Sequence, residues 1–250
     1  MRVLLVRANR NEVDQEALTQ VGIESVSDPY LKITSVPNPD GALELLERLR
    51  APEPKWLVIT SQNAMEFWHK QLPHQALEQT LPTANAHYAA LGATTKSHLT
   101  QLGAPAVITP DNNTSRTLAD IISEGPAMPV LVPSGSISMK SIPETLVPRG
   151  FTVFEQVFYR TEQTDLPPPS AGRLKSWGIT AVLLRSPSAA RAFVEHNPSA
   201  NNEISVICGG ITTARHLTNL GWKPALVSPD PEPTALARAV AQHFGVTYEP

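Results

Sequence analysis

The sequence predicts an α/β protein made of two doubly wound parallel-sheet domains that are related by an internal repeat. Residues 98–103 (HLTQLG) return 118 positions later as residues 216–221 (HLTNLG), and Gly-x-Thr-Thr precedes both copies at the same offset. Residues 59–64 correspond in the same way to residues 184–189, at an offset of 125. Short apolar runs alternate with amphipathic segments along the chain, which is typical of parallel sheets covered by helices on both faces.

The first half reads as alternating strands and helices. Short apolar runs predict strands at residues 3–6, 56–60, 86–91 and 106–109, and residues 25–33 are expected to be extended. Apolar residues at helical spacing predict helices over residues 13–21, 43–49, 63–70, 94–102 and 117–122. Gly22 is a suitable helix stop, and the Pro- and Gly-containing segment 37–41 predicts a turn before the second helix.

The second half repeats this order. Strands are predicted at residues 130–132, 152–159, 181–184, 204–208 and 225–227, and helices at residues 137–147, 189–195, 212–220 and 234–244. A further helix is expected after the prolines at 167–169, ending near Trp177. The copies meet near residues 123–129, yet extended segments around Tyr30 and Tyr159 occupy matching places in both. Two arrangements therefore stay open: contiguous lobes, or lobes that exchange their first strand and helix.

Composition and charge describe an ordinary globular protein of 250 residues. The net charge of −3, without a basic block, argues against a nucleic-acid partner. No apolar run approaches the ~20 residues that span a bilayer, so no membrane partner is expected. The apolar run at residues 3–6 is too short for a signal-peptide core. Cys208 is the single cysteine, which excludes an internal disulfide and fits a cytoplasmic location.

The residues that could carry chemistry cluster at the predicted helix N-termini, where unpaired backbone N–H groups and a partial positive charge favour anions. The candidate substrate-binding residues are Thr60, Ser61, Asn63, Thr94, Thr95, Ser115, Ser134, Gly135, Ser186, Ser188, Thr212, Thr213, Pro233 and Thr234. Such a set, facing a cleft between two lobes, would suit a ligand with several acidic groups. The alternative is that each Ser or Thr only caps its helix.

Other kinds of site find little support in the sequence. The seven histidines show no metal-ligand spacing, and no metal site is predicted. Glycine-rich phosphate loops and the Gly-x-Ser-x-Gly elbow of acyl-transfer enzymes are both missing from the sequence. Tyr159 ends a predicted strand in a presumed crossover, where a lone tyrosine serves either packing or catalysis.

The order of the motifs resembles the uroporphyrinogen-III synthase family. The motifs are Val-Leu-Leu-Val-Arg, Ile-Thr-Ser-x-Asn-Ala, Leu-Gly-x-Thr-Thr, Val-Phe-Tyr-Arg, Ser-Pro-Ser-Ala, Gly-x-Thr-Thr-Ala-Arg and Pro-Thr-x-x-Leu, running from Val3 to about Val240. The resemblance implies exchanged domains joined by a two-stranded ladder. Domain 1 would comprise residues 1–34 plus 160–250 and domain 2 residues 37–157, with linkers near 31–37 and 156–161.

The resemblance also implies an activity. The family cyclises hydroxymethylbilane, a linear tetrapyrrole polycarboxylate, to uroporphyrinogen III with loss of water and inversion of ring D, without a cofactor or metal. It implies that Arg7 binds substrate and that Tyr159 is the catalytic residue that helps the hydroxyl group leave. We expect a cytoplasmic monomeric lyase of porphyrin biosynthesis. The chain departs from the family pattern at Ser134, Met139, Lys140 and Arg185.

Two other functions stay open from the sequence alone. A two-lobed transferase for a nucleotide-sugar substrate would need nucleotide affinity, and the missing glycine-rich loop counts against it. A non-enzymatic sensor could instead close on a small anion. A fused DNA-binding segment would favour that function, and the sequence contains none.

Overall fold

The computed structural model describes residues 1–111, 114–136 and 141–247. Within them the chain forms two sheets flanked by helices. The strands are β1 (Arg2–Leu5), β2 (Glu24–Ser27), β3 (Leu31–Ser35), β4 (Lys55–Ile59), β5 (Ala86–Ala90), β6 (Val107–Ile108), β7 (Val130–Gly135), β8 (Val153–Gln163), β9 (Ala181–Leu184), β10 (Ser205–Cys208) and β11 (Leu226–Val227). The α-helices are α1 (Asn11–Gln20), α2 (Pro39–Arg50), α3 (Gln62–His69), α4 (Ala76–Thr80), α5 (Ala93–Gln101), α6 (Ser115–Ser123), α7 (Ser141–Leu146), α8 (Pro187–His196), α9 (Ile211–Asn219) and α10 (Pro233–Phe244).

The chain divides into two compact units. Unit 1 comprises Met1–Ile33 and Thr161–Pro250, and unit 2 comprises Thr34–Arg160. The chain therefore passes from unit 1 to unit 2 within β3 and returns within β8, two strands that are hydrogen-bonded neighbours. Unit 1 is discontinuous in sequence, whereas unit 2 is one continuous segment.

Unit 1 contains a five-stranded parallel sheet in the order β2-β1-β9-β10-β11. Alternate residues of β1 face opposite sides of this sheet, and both sides are buried. Val3 and Leu5 pack with α1 and α10, whereas Leu4 packs in the layer that contains Phe193 of α8 and Leu217 of α9. This burial on both faces explains why β1 and β9 read as continuous apolar runs.

Unit 2 contains a six-stranded sheet in the order β3-β8-β7-β4-β5-β6. Leu57 and Ile59 of β4 face a layer built from α2, α3 and α5, in which Trp68 is fully buried. Val58 faces the opposite layer, which includes Leu118 of α6. Helix α2 supplies its buried stripe at positions 42, 45, 46 and 49, the spacing of an amphipathic helix.

The two units share one strand order, which confirms the doubly wound fold class and its internal repeat. The order β2-β1-β9-β10-β11 in unit 1 corresponds to β8-β7-β4-β5-β6 in unit 2, where β3 adds an outer strand. The repeated HLTxLG motif ends α5 and α9, with Gly103 and Gly221 at φ of 101° and 82°. Glycine suits these positions because a side chain is strained in the left-handed region.

Some local expectations were wrong. Residues 164–180 form turns instead of a helix ending near Trp177, because three consecutive prolines and two glycines at positive φ interrupt them. The segment is held instead by the Ser170 backbone N–H, which donates to Asp28 Oδ2 at 2.7 Å. Residues 25–33 form parts of two strands, β2 and β3, and the short helix α4 was not predicted.

Two further expectations concern helices. The helix expected over residues 137–147 begins outside the described residues, and its described part is α7, followed by a 3-10 turn at Val147–Arg149. Among the helices that the structure describes, none has the length and apolar character that crossing a bilayer requires.

Candidate active site

The strand order locates a candidate site at one edge of each sheet. In an open α/β sheet, ligands bind at the carboxyl ends of the strands, where neighbouring strands connect outward in opposite directions. In unit 1 this switch point lies between β1 and β9, and in unit 2 it lies between β7 and β4. Every candidate residue from the sequence analysis lies at or just beyond the carboxyl end of a strand, apart from Tyr159, which lies within β8.

In unit 2, Tyr159 lies at the switch point beside Gly135 and Ser61. Its hydroxyl donates to Ser61 Oγ at 3.1 Å, and its ring stacks on Phe67 with centroids 5.8 Å apart. A Cβ at Gly135 would lie 2.5 Å from Tyr159 Cζ, so only glycine leaves room for the ring. Ser61 Oγ also accepts a hydrogen bond from Asn63 N–H at the start of α3. The phenol is thus oriented at a helix N-terminus.

Three of the helix starts are capped by a hydroxyl, as the alternative interpretation expected. Ser61 caps α3, Thr114 caps α6 through Thr117 N–H, and Ser186 caps α8 through Ala189 N–H. Ser186 and Ser188 also bond to each other at 3.0 Å. These three hydroxyls therefore stabilise their own helices.

The starts of α5 and α9 differ because their N-cap residues are Gly92 and Gly210. No side-chain cap hydrogen bond is present at either helix start within the described residues. Thr94 and Thr212 are exposed on the first turns. An anion could accept from the first-turn amides of these helices without displacing a cap.

The start of α10 is already occupied by a carboxylate of the chain itself. Glu232 is the N-cap and accepts from Ala235 N–H at 2.8 Å. This hydrogen bond lowers the pKa of the Glu232 carboxyl, and the Arg185 cation contributes in the same direction. Pro233 and Thr234 follow Glu232 and are half-buried. A substrate carboxylate at this helix would compete with Glu232.

At the switch point of unit 1, two arginines share one buried carboxylate. Arg7 Nη1 lies 3.3 Å from Asp14 Oδ2, and Arg185 Nη1 lies 3.7 Å from Asp14 Oδ1. Asn11 holds the loop after β1 by accepting from Arg7 N–H and donating to Arg7 O. The Asp14 side chain is 1% exposed, against 26% for Arg7 and 15% for Arg185.

Four candidate hydroxyls point away from solvent. Thr95 and Thr213, at matching places in the two copies, are buried, and so are Ser115 and Ser134. Thr60, in unit 2, is half-buried. Among each Thr-Thr pair the exposed member, Thr94 or Thr212, is therefore the one available to a ligand.

Comparison with known proteins decides the family. The family model for uroporphyrinogen-III synthase HemD matches residues 12–238. The chain belongs to the uroporphyrinogen-III synthase family. A mutant uroporphyrinogen III synthase from Thermus thermophilus aligns with a TM-score of 0.64 at 18% identity, covering 98% of this chain and 99% of the other. A uroporphyrinogen-III synthetase from Helicobacter pylori gives 0.64 at 15%, covering 97% and 99%.

Arg185 is one of the positions at which the chain departs from the pattern of the uroporphyrinogen-III synthase family. This side chain does not face solvent, because it reaches the buried Asp14. Burial lowers the pKa of the Arg185 guanidinium, and Arg7 lowers it further, whereas Asp14 and Glu232 oppose the change. Met139 and Lys140, at the second departure, lie outside the described residues.

Sequence reasoning missed Asp14 and Glu232. Asp14 occupies a helix position one turn inside α1, where an acidic residue normally signals only a favourable N-terminus. Glu232 carried a weak signal, since an acidic residue directly before Pro at a helix start is a plausible cap. The burial of Asp14 and its two arginine partners are properties of the tertiary structure.

Further features of the described residues concern metal binding, the cysteine and a cavity. Among the described residues, no three His, Cys, Asp or Glu side chains come close enough together to hold a metal ion. Burial raises the pKa of the Cys208 thiol to about 11, which makes it a poor nucleophile at neutral pH. A cavity of about 390 Å³ lined by Leu174, Ile179 and Ala200 lies at the amino ends of β9 and β10, the opposite edge from the candidate site.

Proposed function

We propose that this chain is a uroporphyrinogen-III synthase that cyclises hydroxymethylbilane to uroporphyrinogen III. The observation that carries the proposal is the family match over residues 12–238, which spans both units. The reaction breaks the C–O bond of the ring A hydroxymethyl group and releases water. Ring D then inverts through a spiro intermediate before the macrocycle closes. This chemistry would make the protein a lyase.

Tyr159 is the proposed catalytic residue. Its hydroxyl is oriented by Ser61 and its ring is fixed between Phe67 and the backbone of Gly135. On substrate binding, the single O–H of this phenol would turn from Ser61 Oγ to the departing hydroxyl group and assist its loss as water. Such positioned acids typically accelerate a reaction by about 10²–10⁴-fold.

The substrate's carboxylates supply most of the binding in this proposal. Each ring carries an acetate and a propionate, and the helix starts with Gly92 and Gly210 as N-caps offer amides that no side chain occupies in the described structure. A charge-assisted hydrogen bond contributes about 1.5–3 kcal/mol. Several such bonds explain how a protein of net charge −3 could hold a polyanion.

Folding the substrate into one conformation is the second proposed contribution. The unassisted closure gives the uninverted isomer, so the enzyme must bring the substituted carbon of ring D to the electrophilic carbon. We further propose that the protein acts as a monomer in the cytoplasm and without a metal or an organic cofactor.

The test is incubation of the purified protein with freshly prepared hydroxymethylbilane, with isomers I and III separated by chromatography. We expect isomer III at a rate proportional to protein concentration, unchanged by a chelator. Heat-denatured protein is the control and should give isomer I at the spontaneous rate. Isomer I alone from the native protein would contradict the proposal.

A further inference from the structure

The Arg7–Asp14–Arg185 cluster places two cations against one buried carboxylate. Two guanidinium groups face one carboxylate that is almost fully buried, so the cluster carries an excess positive charge. Glu232 is a further acidic group near Arg185; it offsets part of this charge, while its carboxylate accepts a hydrogen bond from Ala235 N–H. Burying a charged group without full compensation costs free energy. A second cation beside Asp14 therefore needs a reason other than stability.

The hydrogen bonding of the cluster is incomplete. The Arg185–Asp14 distance of 3.7 Å is longer than a hydrogen bond. Arg185 Nη1 and Asp14 Oδ1 are both buried, and neither has a hydrogen-bond partner in the described part of the chain. Nη1 itself is buried against Asp14, so an incoming anion would meet the exposed part of the guanidinium, the Arg185 side chain being 15% exposed.

The internal repeat shows that the local turn does not require an arginine. Thr60 of unit 2 stands where unit 1 has Arg185, and the following serines, Ser61 and Ser186, both cap their helices through Oγ. Both turns form a strand end and a helix start with the same cap. The conformation of this turn therefore does not explain why an arginine stands at position 185.

The surroundings of Arg185 point toward an uncapped helix start. A Cβ at Gly209 would lie 3.0 Å from Arg185 Cδ, so the arginine passes directly over the end of β10. The next residue, Gly210, is the N-cap of α9 and offers no side-chain acceptor. The guanidinium and the first-turn amides of α9 are thus brought to the same strand edge, where both favour an anion.

We infer that Arg185, anchored beside Arg7 by the buried Asp14, binds a carboxylate of the substrate at the β1/β9 switch point of unit 1. The inference rests on the proposed function and adds a charged contact, specific to this chain, to binding by amides and hydroxyls. Asp14 holds the two arginines close together despite their repulsion. A carboxylate placed against them adds negative charge beside the two cations and can accept hydrogen bonds from the exposed part of the Arg185 guanidinium.

The test compares Arg185→Thr, which copies Thr60, with Arg185→Lys and with Arg173→Thr. Arg173 is exposed and precedes β9, at the opposite sheet edge, so its loss removes one positive charge away from the site. We expect Arg185→Thr to raise KM for hydroxymethylbilane about 10- to 100-fold, the range of one charged hydrogen bond. Its kcat should change much less. Arg185→Lys should be intermediate, and Arg173→Thr should match wild type.

Equilibrium binding gives a readout besides activity. The dissociation constants of uroporphyrin III and coproporphyrin III are measured by fluorescence for each variant, since coproporphyrin retains the propionates but has methyl groups in place of the acetates. Weaker binding of uroporphyrin alone by Arg185→Thr would assign the contact to an acetate, and weaker binding of both to a propionate. Either result supports the inference.

Failure of this inference and failure of the proposed function would give different results. A folded Arg185→Thr with wild-type KM and wild-type dissociation constants, in a protein that makes isomer III, overturns the inference and leaves the proposed function intact. Wild-type protein that makes only isomer I overturns the proposed function and this inference with it. If Arg185→Thr unfolds, Arg185→Lys decides: it retains the charge but loses the planar fork of donors, so an unchanged KM and unchanged affinity would count against the contact.

Discussion

At the scale of single residues, Tyr159 gives the sharpest prediction. Tyr159→Phe keeps the ring that stacks on Phe67 and covers Gly135, and removes only the hydroxyl that donates to Ser61. We expect kcat to fall by about 10²-fold or more with KM within a few-fold, because general acid assistance acts in the transition state. Steady-state kinetics with hydroxymethylbilane would measure both.

Ser61→Ala is the matched control for this prediction. It removes the acceptor of the Tyr159 hydrogen bond and the cap of α3, at a cost of about 0.5–2 kcal/mol of stability, but leaves the phenol in place. Its kcat should fall less than that of Tyr159→Phe. Wild-type kcat in a folded Tyr159→Phe would assign the tyrosine to packing.

Some residue roles could be predicted from the sequence and others could not, depending on whether they arise from contacts between near neighbours in the chain. The caps by Ser61 and Ser186 were among the roles considered from the sequence, since a Ser before a helix normally accepts from its first turn. The Asp14 cluster was not, because Arg185 lies far along the chain from Arg7 and Asp14. Only the pairing of β1 with β9 brings Arg185 beside the other two.

At the scale of elements, helix starts fall into capped and uncapped classes, and this difference predicts unequal effects of an added carboxylate. At α9 the N-cap is Gly210, so Thr212→Asp would place a new anion where a substrate carboxylate is proposed to bind. At the start of α10 the carboxylate of Glu232 is already present. We expect Thr212→Asp to raise KM about tenfold or more, and Thr234→Asp to raise it less.

Both substitutions should leave the melting temperature close to that of wild type, because an acidic residue in the first turn of a helix is favourable. Steady-state kinetics and thermal melts of the two variants, prepared together, would check this. An unchanged KM in both stable variants would mean that neither helix start meets the substrate.

At the scale of the whole molecule, the division into units predicts how fragments behave. Unit 2 is continuous and carries its own buried layers on both faces of its sheet. Residues 161–250 alone lack β1, which lies between β9 and β2 within the sheet of unit 1. We expect the fragment 34–160 to unfold cooperatively and the fragment 161–250 to remain unfolded, as measured by circular dichroism on heating.

Fusing residues 1–33 to residues 161–250 through a short flexible linker is the control for this experiment. The fusion restores β1, α1 and β2, and should recover a cooperative transition. A cooperative melt of the fragment 161–250 by itself would contradict the division, since it would show that the sheet forms without β1 and β2.

The sequence by itself determined the fold class, the internal repeat and most of the elements. These depend on local causes: apolar runs of strand length, helical spacing of buried residues, and glycines that end helices in the left-handed region. It also determined the family, because the motif order is a property of the chain. The helix that the sequence predicted within residues 164–180 does not form, because prolines and glycines interrupt this segment.

The tertiary structure decided what the candidate residues do. The sequence could not tell Thr212 from Thr213, yet one is exposed and the other buried. It could not show that Glu232 occupies the start of α10 or that Arg185 reaches Asp14. Burial and shared charges are tertiary properties, because parallel strands that align their carboxyl ends bring together residues far apart in sequence.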